Sequence, residues 1–171
     1  ENGDSLVILG IENFLENLVE AYKGKRLGLL TNPSGVNRQL ESTADLLFRH
    51  PEIQLTALYG PEHGIRGAIH AGEKVKSETD PQTGLPIYSL YGETRRPTAD
   101  MVENIDVLMV DIQDIGARSY TYIYTMAMVM EAAAEFDKEV VVLDRPNPLG
   151  GVEVEGNIVH EDYFSFIGLY P

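Results

Sequence analysis

Four short, nearly continuous apolar runs constrain the fold of this 171-residue chain more than any other feature. They occupy residues 26–32, 53–60, 105–111 and 139–144. An apolar run of this length without polar alternation is typical of a strand that is covered on both faces within a parallel sheet. We therefore expect four buried strands.

Apolar residues at helical spacing separate these runs and predict helices over residues 11–22, 43–50 and 121–136. The expected inward residues of the first and third helices are Ile11, Leu15, Leu18, Val19, Ile123, Met126, Ala127, Met130 and Ala134. Alternating strands and helices imply right-handed crossovers. The sequence thus predicts an α/β fold, an open, mainly parallel Rossmann-like sheet flanked by helices, with residues 1–171 in one domain.

Composition excludes several classes of function. The formal charge of −14 arises from 27 acidic and 13 basic residues without a basic cluster, which argues against binding to a nucleic-acid backbone. With no cysteine, the chain has no disulfide, thiolate metal site or cysteine nucleophile. No apolar stretch approaches the roughly 18 residues needed to span a membrane, and no export signal precedes the first run.

A long segment without strong periodicity covers residues 66–96 and is rich in Gly, Pro and Thr. Only residues 87–90 within it resemble a strand. Loops of this length inside a compact domain are usually functional. We therefore expect this excursion to contribute to a site.

Polar residues follow each predicted strand, in the segments TNPSG, PEHG, DIQDIGAR and DRPNP. All four segments emerge at the carboxyl edge of a parallel sheet, where open α/β folds bind ligands. The sequence predicts that they open onto one shared hollow. The candidate residues are Asn32, Glu62, His63, Asp111, Gln113, Asp114, Arg118, Tyr120, Asp144, Arg145 and Asn147.

Structural roles are an alternative for several of these side chains. Asn32 and Asp144 could cap the turns that follow them, and Arg145 could form an internal ion pair with the adjacent Asp144. His63 could be a structural imidazole. Glu62 favours a functional role, because a carboxylate at a buried sheet edge is costly to desolvate.

Asp111 and Asp114 are three residues apart, and they are expected to differ in role. One of them should accept a hydrogen bond from the backbone or pair with Arg118 instead of contacting a substrate. The convergence of the four segments is therefore a stronger indication of a site than any single residue.

The motifs GLLTNPSGV, LYGPEHGIRG, TGLPIYSLYGETRRPT, IDVLMVDIQDIGARSYTYIYTM and VVVLDRPNPLGG, in this order, resemble the bacterial exo-β-N-acetylmuramidases, a peptidoglycan-recycling glycoside hydrolase family. The resemblance runs from about Gly10 to the end of the chain. It implies release of N-acetylmuramic acid from the non-reducing end of peptidoglycan fragments, in a cleft between this Rossmann-like domain and a C-terminal domain that is absent here. It also implies a periplasmic or secreted protein whose ligands are muramyl sugars.

Glycoside hydrolysis requires a carboxylic acid that protonates the leaving oxygen and usually a second carboxylate. Glu62 is the candidate acid, since desolvation at a closed sheet edge raises a carboxyl pKa and suits proton donation. The second carboxylate is Asp111, Asp114, Asp144 or a residue outside this chain. We assign catalysis to Glu62, His63, Asp111 and Asp114.

Substrate binding is assigned to Asn32, Gln113, Arg118, Tyr120, Asp144, Arg145 and Asn147. Arg118 precedes a predicted helix, and a guanidinium beside a helix amino terminus favours an anion such as the lactyl carboxylate of muramic acid. The amides of Asn32, Gln113 and Asn147 would bind sugar hydroxyls. No cofactor is predicted, since no Gly-x-Gly-x-x-Gly motif follows the first strand.

Two alternatives belong to other classes of protein. A metal-dependent hydrolase would gather His63, Asp111, Asp114 and Asp144 around a divalent ion, although no two histidines have ligand spacing. A sugar-binding module without turnover would use the same sheet edge.

Overall fold

In a computed structural model, the described residues are 7–61, 64–67, 78–92 and 94–170. Their strands are β1 Arg26–Thr31, β2 Gln54–Gly60, β3 Glu78–Thr79, β4 Pro86–Ser89, β5 Val107–Asp111 and β6 Glu139–Val142. These strands form one sheet in the order β3-β4-β2-β1-β5-β6. All neighbouring strands are parallel except the β3–β4 pair. The predicted open, mainly parallel α/β sheet is confirmed, while the two-residue edge strand β3 was not predicted.

The helices are α1 Gly10–Asn17, α2 Val19–Tyr22, α3 Thr43–Arg49, α4 Ala99–Val102 and α5 Tyr122–Glu135, followed by a 3₁₀ helix at Glu161–Tyr163. The prediction of one continuous helix over residues 11–22 is wrong. Leu18 separates α1 from α2 and is 38% exposed, so it is not an inward residue. Phe14 is fully buried in its place.

Both faces of the central strands are covered, as the apolar runs predict. Leu27 and Leu29 of β1 pack in one hydrophobic cluster with residues of α1 and α3. Leu30 packs in a second cluster on the other face, together with Val129 of α5. The strand period of two places successive side chains on opposite faces, so every residue of such a strand contributes to one of the two cores.

The apolar face predicted for α5 is only partly correct. Ile123 and Met130 are 47% and 45% exposed, whereas Met126 is partly buried against the second cluster. The buried residues of this helix are Tyr124, Thr125, Val129, Ala132 and Ala133. Because the helix is apolar almost all round, the sequence pattern does not single out the covered side.

The last predicted strand is an edge strand instead of a buried one. β6 pairs only with β5, and Val142 at its end is 46% exposed. This edge therefore leaves apolar side chains at the surface, close to the residues that follow β6.

Chain order reverses between β1 and β5. From β1 the chain proceeds to β2 and β4 on one side of the sheet, and β5 then pairs on the other side of β1. Ligands of open α/β sheets bind at the carboxyl ends of the two strands that flank such a reversal. The fold thus puts the segments after β1 and β5 at the expected position for a site. Within the described ranges, no helix is long and apolar enough to cross a bilayer.

Candidate functional site at the carboxyl edge of the sheet

The ends of β1 and β5 meet directly. Thr31 and Asp111 are register partners, and the Thr31 hydroxyl donates to the Asp111 carbonyl at 2.9 Å. Gly35 packs so closely beneath this pair that a Cβ atom there would lie 2.0 Å from the Thr31 hydroxyl oxygen. The segment after β1 therefore folds back tightly over the strand ends.

A buried ion pair lies at the base of this edge. Arg145 donates from Nε to Asp111 Oδ1 at 2.5 Å and from Nη2 to Oδ2 at 3.0 Å. The Thr43 hydroxyl donates to Asp111 Oδ2 at 2.5 Å, and Arg145 Nη2 also donates to the Val36 carbonyl at 2.8 Å. The Asp111 and Arg145 side chains are only 1% and 7% exposed. This network joins the loops after β1 and β6 to α3 and the end of β5.

Arg145 does form an internal ion pair, but its partner is Asp111 instead of the adjacent Asp144. Both oxygens of Asp111 accept hydrogen bonds from side chains of the chain itself. The catalytic assignment of Asp111 and the binding assignment of Arg145 stay predictions. The contacts that the structure gives these two residues are with each other and with the protein.

Three of the four edge loops are bonded to one another. Asn32 Oδ1 accepts from the Ser34 amide at 3.0 Å and from its hydroxyl at 2.5 Å, so the expected turn cap is present. The Ser34 hydroxyl accepts from the Gln113 amide N–H at 3.0 Å. Gln113 Nε2 in turn donates to the Pro146 carbonyl at 3.0 Å. The loops after β1, β5 and β6 thus form one connected surface.

A cavity of about 180 Å³ opens on the β5–β6 side of this surface. Gln113, Asp114, Asp144, Arg145 and Asn147 line it together. The structure therefore brings five of the predicted site residues to one cavity. Asp144 is exposed, and it has no hydrogen bond or ion pair from its carboxylate to any described residue.

Asp114 follows the alternative in which one of the two aspartates binds the backbone. Its Oδ1 accepts from the Gly116 amide at 2.7 Å. Its Oδ2 is buried without a partner among the described residues. One acceptor of this carboxylate is therefore available at the cavity.

The structure does not bring Arg118 to the same cavity. Its guanidinium donates to the Asn157 carbonyl. It lines a separate, open depression of about 420 Å³ with Ile158, His160 and Tyr163. Tyr120 packs edge-on against Tyr122, with ring centroids 4.7 Å apart. Their assignments to substrate binding stay predictions.

Glu62 and His63 lie outside the described residues, so their assignments stay predictions as well. The residues on either side of them are described. Pro61 is buried and its carbonyl accepts from the Gly64 amide at 3.1 Å. A Cβ atom on Gly67 would lie 3.0 Å from Pro33 Cγ, so the segment after β2 contacts the segment after β1.

Arg66 is a residue of this edge that sequence reasoning missed. Its guanidinium donates to both oxygens of Asp80, at 3.0 and 2.8 Å, and to both oxygens of Asp45, at 3.0 and 2.8 Å. The hydrogen bonds from Arg66 hold the pKa of the fully buried Asp80 below its usual value, and the Thr83 hydroxyl contributes. Arg66 thereby fastens the loop after β2 to α3 and to the excursion, as the length of that excursion suggested. The partners are 21 and 14 residues away, so no local spacing reveals them.

Within the described ranges, no group of three or more His, Asp or Glu side chains could hold a metal ion. Three ligands of the metal alternative, Asp111, Asp114 and Asp144, are described, whereas His63 is not. The described carboxylates therefore supply no metal centre of their own.

Together, the fold and this edge define an α/β domain whose ligand surface lies at the reversal of strand order, with one carboxylate pair buried for structure and other carboxylates facing a cavity. Comparison with known proteins identifies the family. The family described as "Exo-beta-N-acetylmuramidase NamZ, N-terminal" matches residues 27–171, and the chain belongs to this family. The resemblance inferred from the motifs is confirmed.

Individual relatives agree with this assignment. The peptidoglycan beta-N-acetylmuramidase NamZ of Bacillus subtilis strain 168 is 56% identical over 162 residues, covering 95% of this chain and 39% of that protein. A DUF1343 family crystal structure from Bacteroides fragilis NCTC 9343 has a TM-score of 0.87 and 55% identity over 95% of this chain and 40% of its own. A second from the same strain has a TM-score of 0.80 and 35% identity over 96% and 41%. The chain spans about two fifths of the length of these relatives.

Proposed function

We propose that the protein carrying this domain is a glycoside hydrolase that releases N-acetylmuramic acid from the non-reducing end of peptidoglycan fragments. The observation that carries the proposal is the 56% identity to a relative named as a peptidoglycan β-N-acetylmuramidase, over 95% of this chain. The connected loops at the strand reversal supply a surface where such a substrate can bind.

Glu62 is the proposed general acid, and it follows the last residue of β2 by two positions. The proposed sugar-facing carboxylates are Asp144 and Asp114, because each has acceptor capacity that no described residue uses. Asp111 is less suited to act as base or nucleophile, since its two oxygens already accept from Arg145 and Thr43.

A second domain is part of the proposal. Large apolar side chains are exposed along the segment that follows β6, among them Leu149 at 73%, Val152 at 96%, Val154 at 95% and Ile158 at 81%. Exposed apolar surface of this extent is typical of a covered interface. We propose that the remainder of the protein covers it and completes the sugar site. The same proposal includes a periplasmic or secreted location and a role in cell-wall recycling, which cell fractionation of the native host tests.

The direct test is release of muramic acid from a chromogenic glycoside by the full-length protein. Glu62→Gln is expected to lower kcat by at least about 100-fold, since general acid catalysis contributes roughly 10²–10⁴ in rate, and to leave the melting temperature unchanged. The matched control is Glu52→Gln, which changes an exposed Glu just before β2, at the opposite edge of the sheet. Turnover retained by Glu62→Gln would remove Glu62 from the acid role.

The same assay separates the alternatives. A sugar-binding module would bind a muramyl disaccharide without releasing product. A metal-dependent hydrolase would lose activity in the presence of a chelator and regain it with added divalent ions. Activity that survives the chelator supports the two-carboxylate mechanism.

A further inference from the structure

The cavity between β5, β6 and the start of α5 has two chemically different sides. Val142, Ile123 and Met126 form an apolar side, and Asp114, Asp144 and Asn147 form a polar side. Ile123 and Val142 are 47% and 46% exposed, so the cavity is accessible from solvent. Its volume of about 180 Å³ is several times the roughly 30 Å³ that one water occupies in the liquid.

The polar side offers acceptors and a donor that the described residues leave unused. The Asp144 carboxylate has no partner there, and Asp114 Oδ2 is buried without one. Asn147 Oδ1 accepts from the Leu149 amide at 3.0 Å, whereas its Nδ2 donates to no described residue. A buried acceptor without a hydrogen bond is costly, so a ligand that donates to this side gains from the encounter.

An acetamido group matches this combination of surfaces. Its N–H needs an acceptor, its carbonyl needs a donor and its methyl needs an apolar wall. A sugar hydroxyl would leave the apolar side unused, and a carboxylate such as a lactyl group would be repelled by Asp114 and Asp144. A simple cation would pair with the carboxylates but would not use Val142, Ile123 or Met126.

We propose that this cavity binds the acetamido group of the muramic acid residue, an assignment that rests on the proposed function. The Asp144 carboxylate accepts from the acetamido N–H, and Asn147 Nδ2 donates to its carbonyl oxygen. The methyl group contacts Val142 and Met126. The cavity then acts as the specificity determinant for a 2-acetamido sugar, and the lactyl carboxylate binds elsewhere.

The test uses the full-length protein and two chromogenic glycosides that differ only at carbon 2, one with an acetamido group and one with a hydroxyl. Asp144→Asn is expected to lower kcat/KM at least 10-fold on the acetamido substrate, mainly through KM, and less than 3-fold on the hydroxyl substrate. The matched control is Asp137→Asn, an exposed aspartate before β6, at the other end of the same strand. Equal losses on both substrates, or no loss on either, would overturn the assignment.

A substrate series with longer acyl groups tests the apolar side independently. The wild-type protein is expected to prefer N-acetyl over N-butanoyl by at least 10-fold, and Val142→Ala is expected to reduce that preference at least 3-fold by enlarging the cavity. An unchanged preference would contradict the placement of the methyl group.

Failure of the proposed function gives a different result from failure of this inference. A wild-type protein that cleaves neither glycoside would refute the hydrolase proposal. The acetamido assignment then depends on equilibrium titration with free N-acetylmuramic acid and its 2-hydroxy counterpart. Tighter binding of the acetamido sugar that Asp144→Asn abolishes supports it, and equal binding of the two sugars overturns it.

Discussion

Two neighbouring strands, β5 and β6, deliver aspartates to the same edge of the sheet, yet the two carboxylates have opposite surroundings. Asp111 is 1% exposed and accepts from Arg145 and Thr43. Asp144 is exposed, lines an open cavity and has no partner among the described residues. The first carboxylate holds the edge together, and the second is available to a ligand.

The difference shows that the position after a strand does not fix the role of a side chain. Each aspartate ends an apolar run, and Arg145 is adjacent to Asp144 in the chain. The guanidinium nevertheless turns toward Asp111, where two more groups of the chain complete its bonding. Tertiary partners decide which carboxylate remains available.

The largest expected effect follows from breaking the buried pair. Arg145→Met is expected to lower the free energy of unfolding by about 3–5 kcal/mol, because it leaves the buried Asp111 carboxylate without its cation. Urea unfolding monitored by circular dichroism measures the change. A loss below about 1 kcal/mol, typical of exposed pairs, would mean that Asp111 and Arg145 do not hold the edge.

Arg66 extends the comparison to the loop after β2. Arg66→Met is expected to cost about 3 kcal/mol, since Asp80 is fully buried and loses a bidentate partner. The folded-state pKa of Asp80 is lowered, so this contribution is present above the unfolded value of about 3.9 and is lost as pH falls through the folded pKa.

The stability difference between the wild type and Arg66→Met should therefore narrow on acidification from about pH 7 to about pH 3. Urea titrations at several pH values measure it. A difference that stays constant over this range would show that the Asp80 carboxylate does not depend on Arg66.

A smaller effect is expected from the hydroxyl that completes the Asp111 network. Thr43→Val keeps the shape of the side chain and removes one hydrogen bond to a charged acceptor, at a cost of about 2 kcal/mol. The control is Thr79→Val at an exposed position of β3, where the change should stay within about 0.5 kcal/mol. Equal effects at the two positions would contradict the role of the Thr43 hydroxyl.

The smallest effect is expected at Asp144. Asp144→Asn should alter the free energy of unfolding by no more than about 0.5 kcal/mol, because its exposed carboxylate has no partner to lose. The same urea titration as for Arg145→Met gives the comparison directly. A loss of 2 kcal/mol or more would assign Asp144 to structure and remove the contrast with Asp111.

Much of the fold could be predicted because the central strands are apolar on both faces. Leu29 and Leu30 face different cores, so the pattern at β1 has no other simple reading. The pattern failed where burial is one-sided or interrupted. The run at β6 is apolar although its end is exposed, and α5 is too apolar for spacing to show that Val129 is inside and Met130 outside.

The site was predictable only as a location. Parallel strands bring their carboxyl ends together, and this places Asn32, Gln113 and Asp144 at one edge. The pairing within the edge depends on contacts between distant segments, such as Arg145 with Asp111 or Arg66 with Asp80. A single sequence carries no local signal for such pairs.

The most direct test of the account is a crystal structure of full-length Glu62→Gln protein with an uncleaved muramyl disaccharide bound. The account predicts the non-reducing sugar over the edge of the sheet, with its acetamido nitrogen about 3 Å from the Asp144 carboxylate and no contact with Asp111. A sugar bonded to Asp111 with the Arg145 pair broken, or a sugar bound away from this edge, would contradict it.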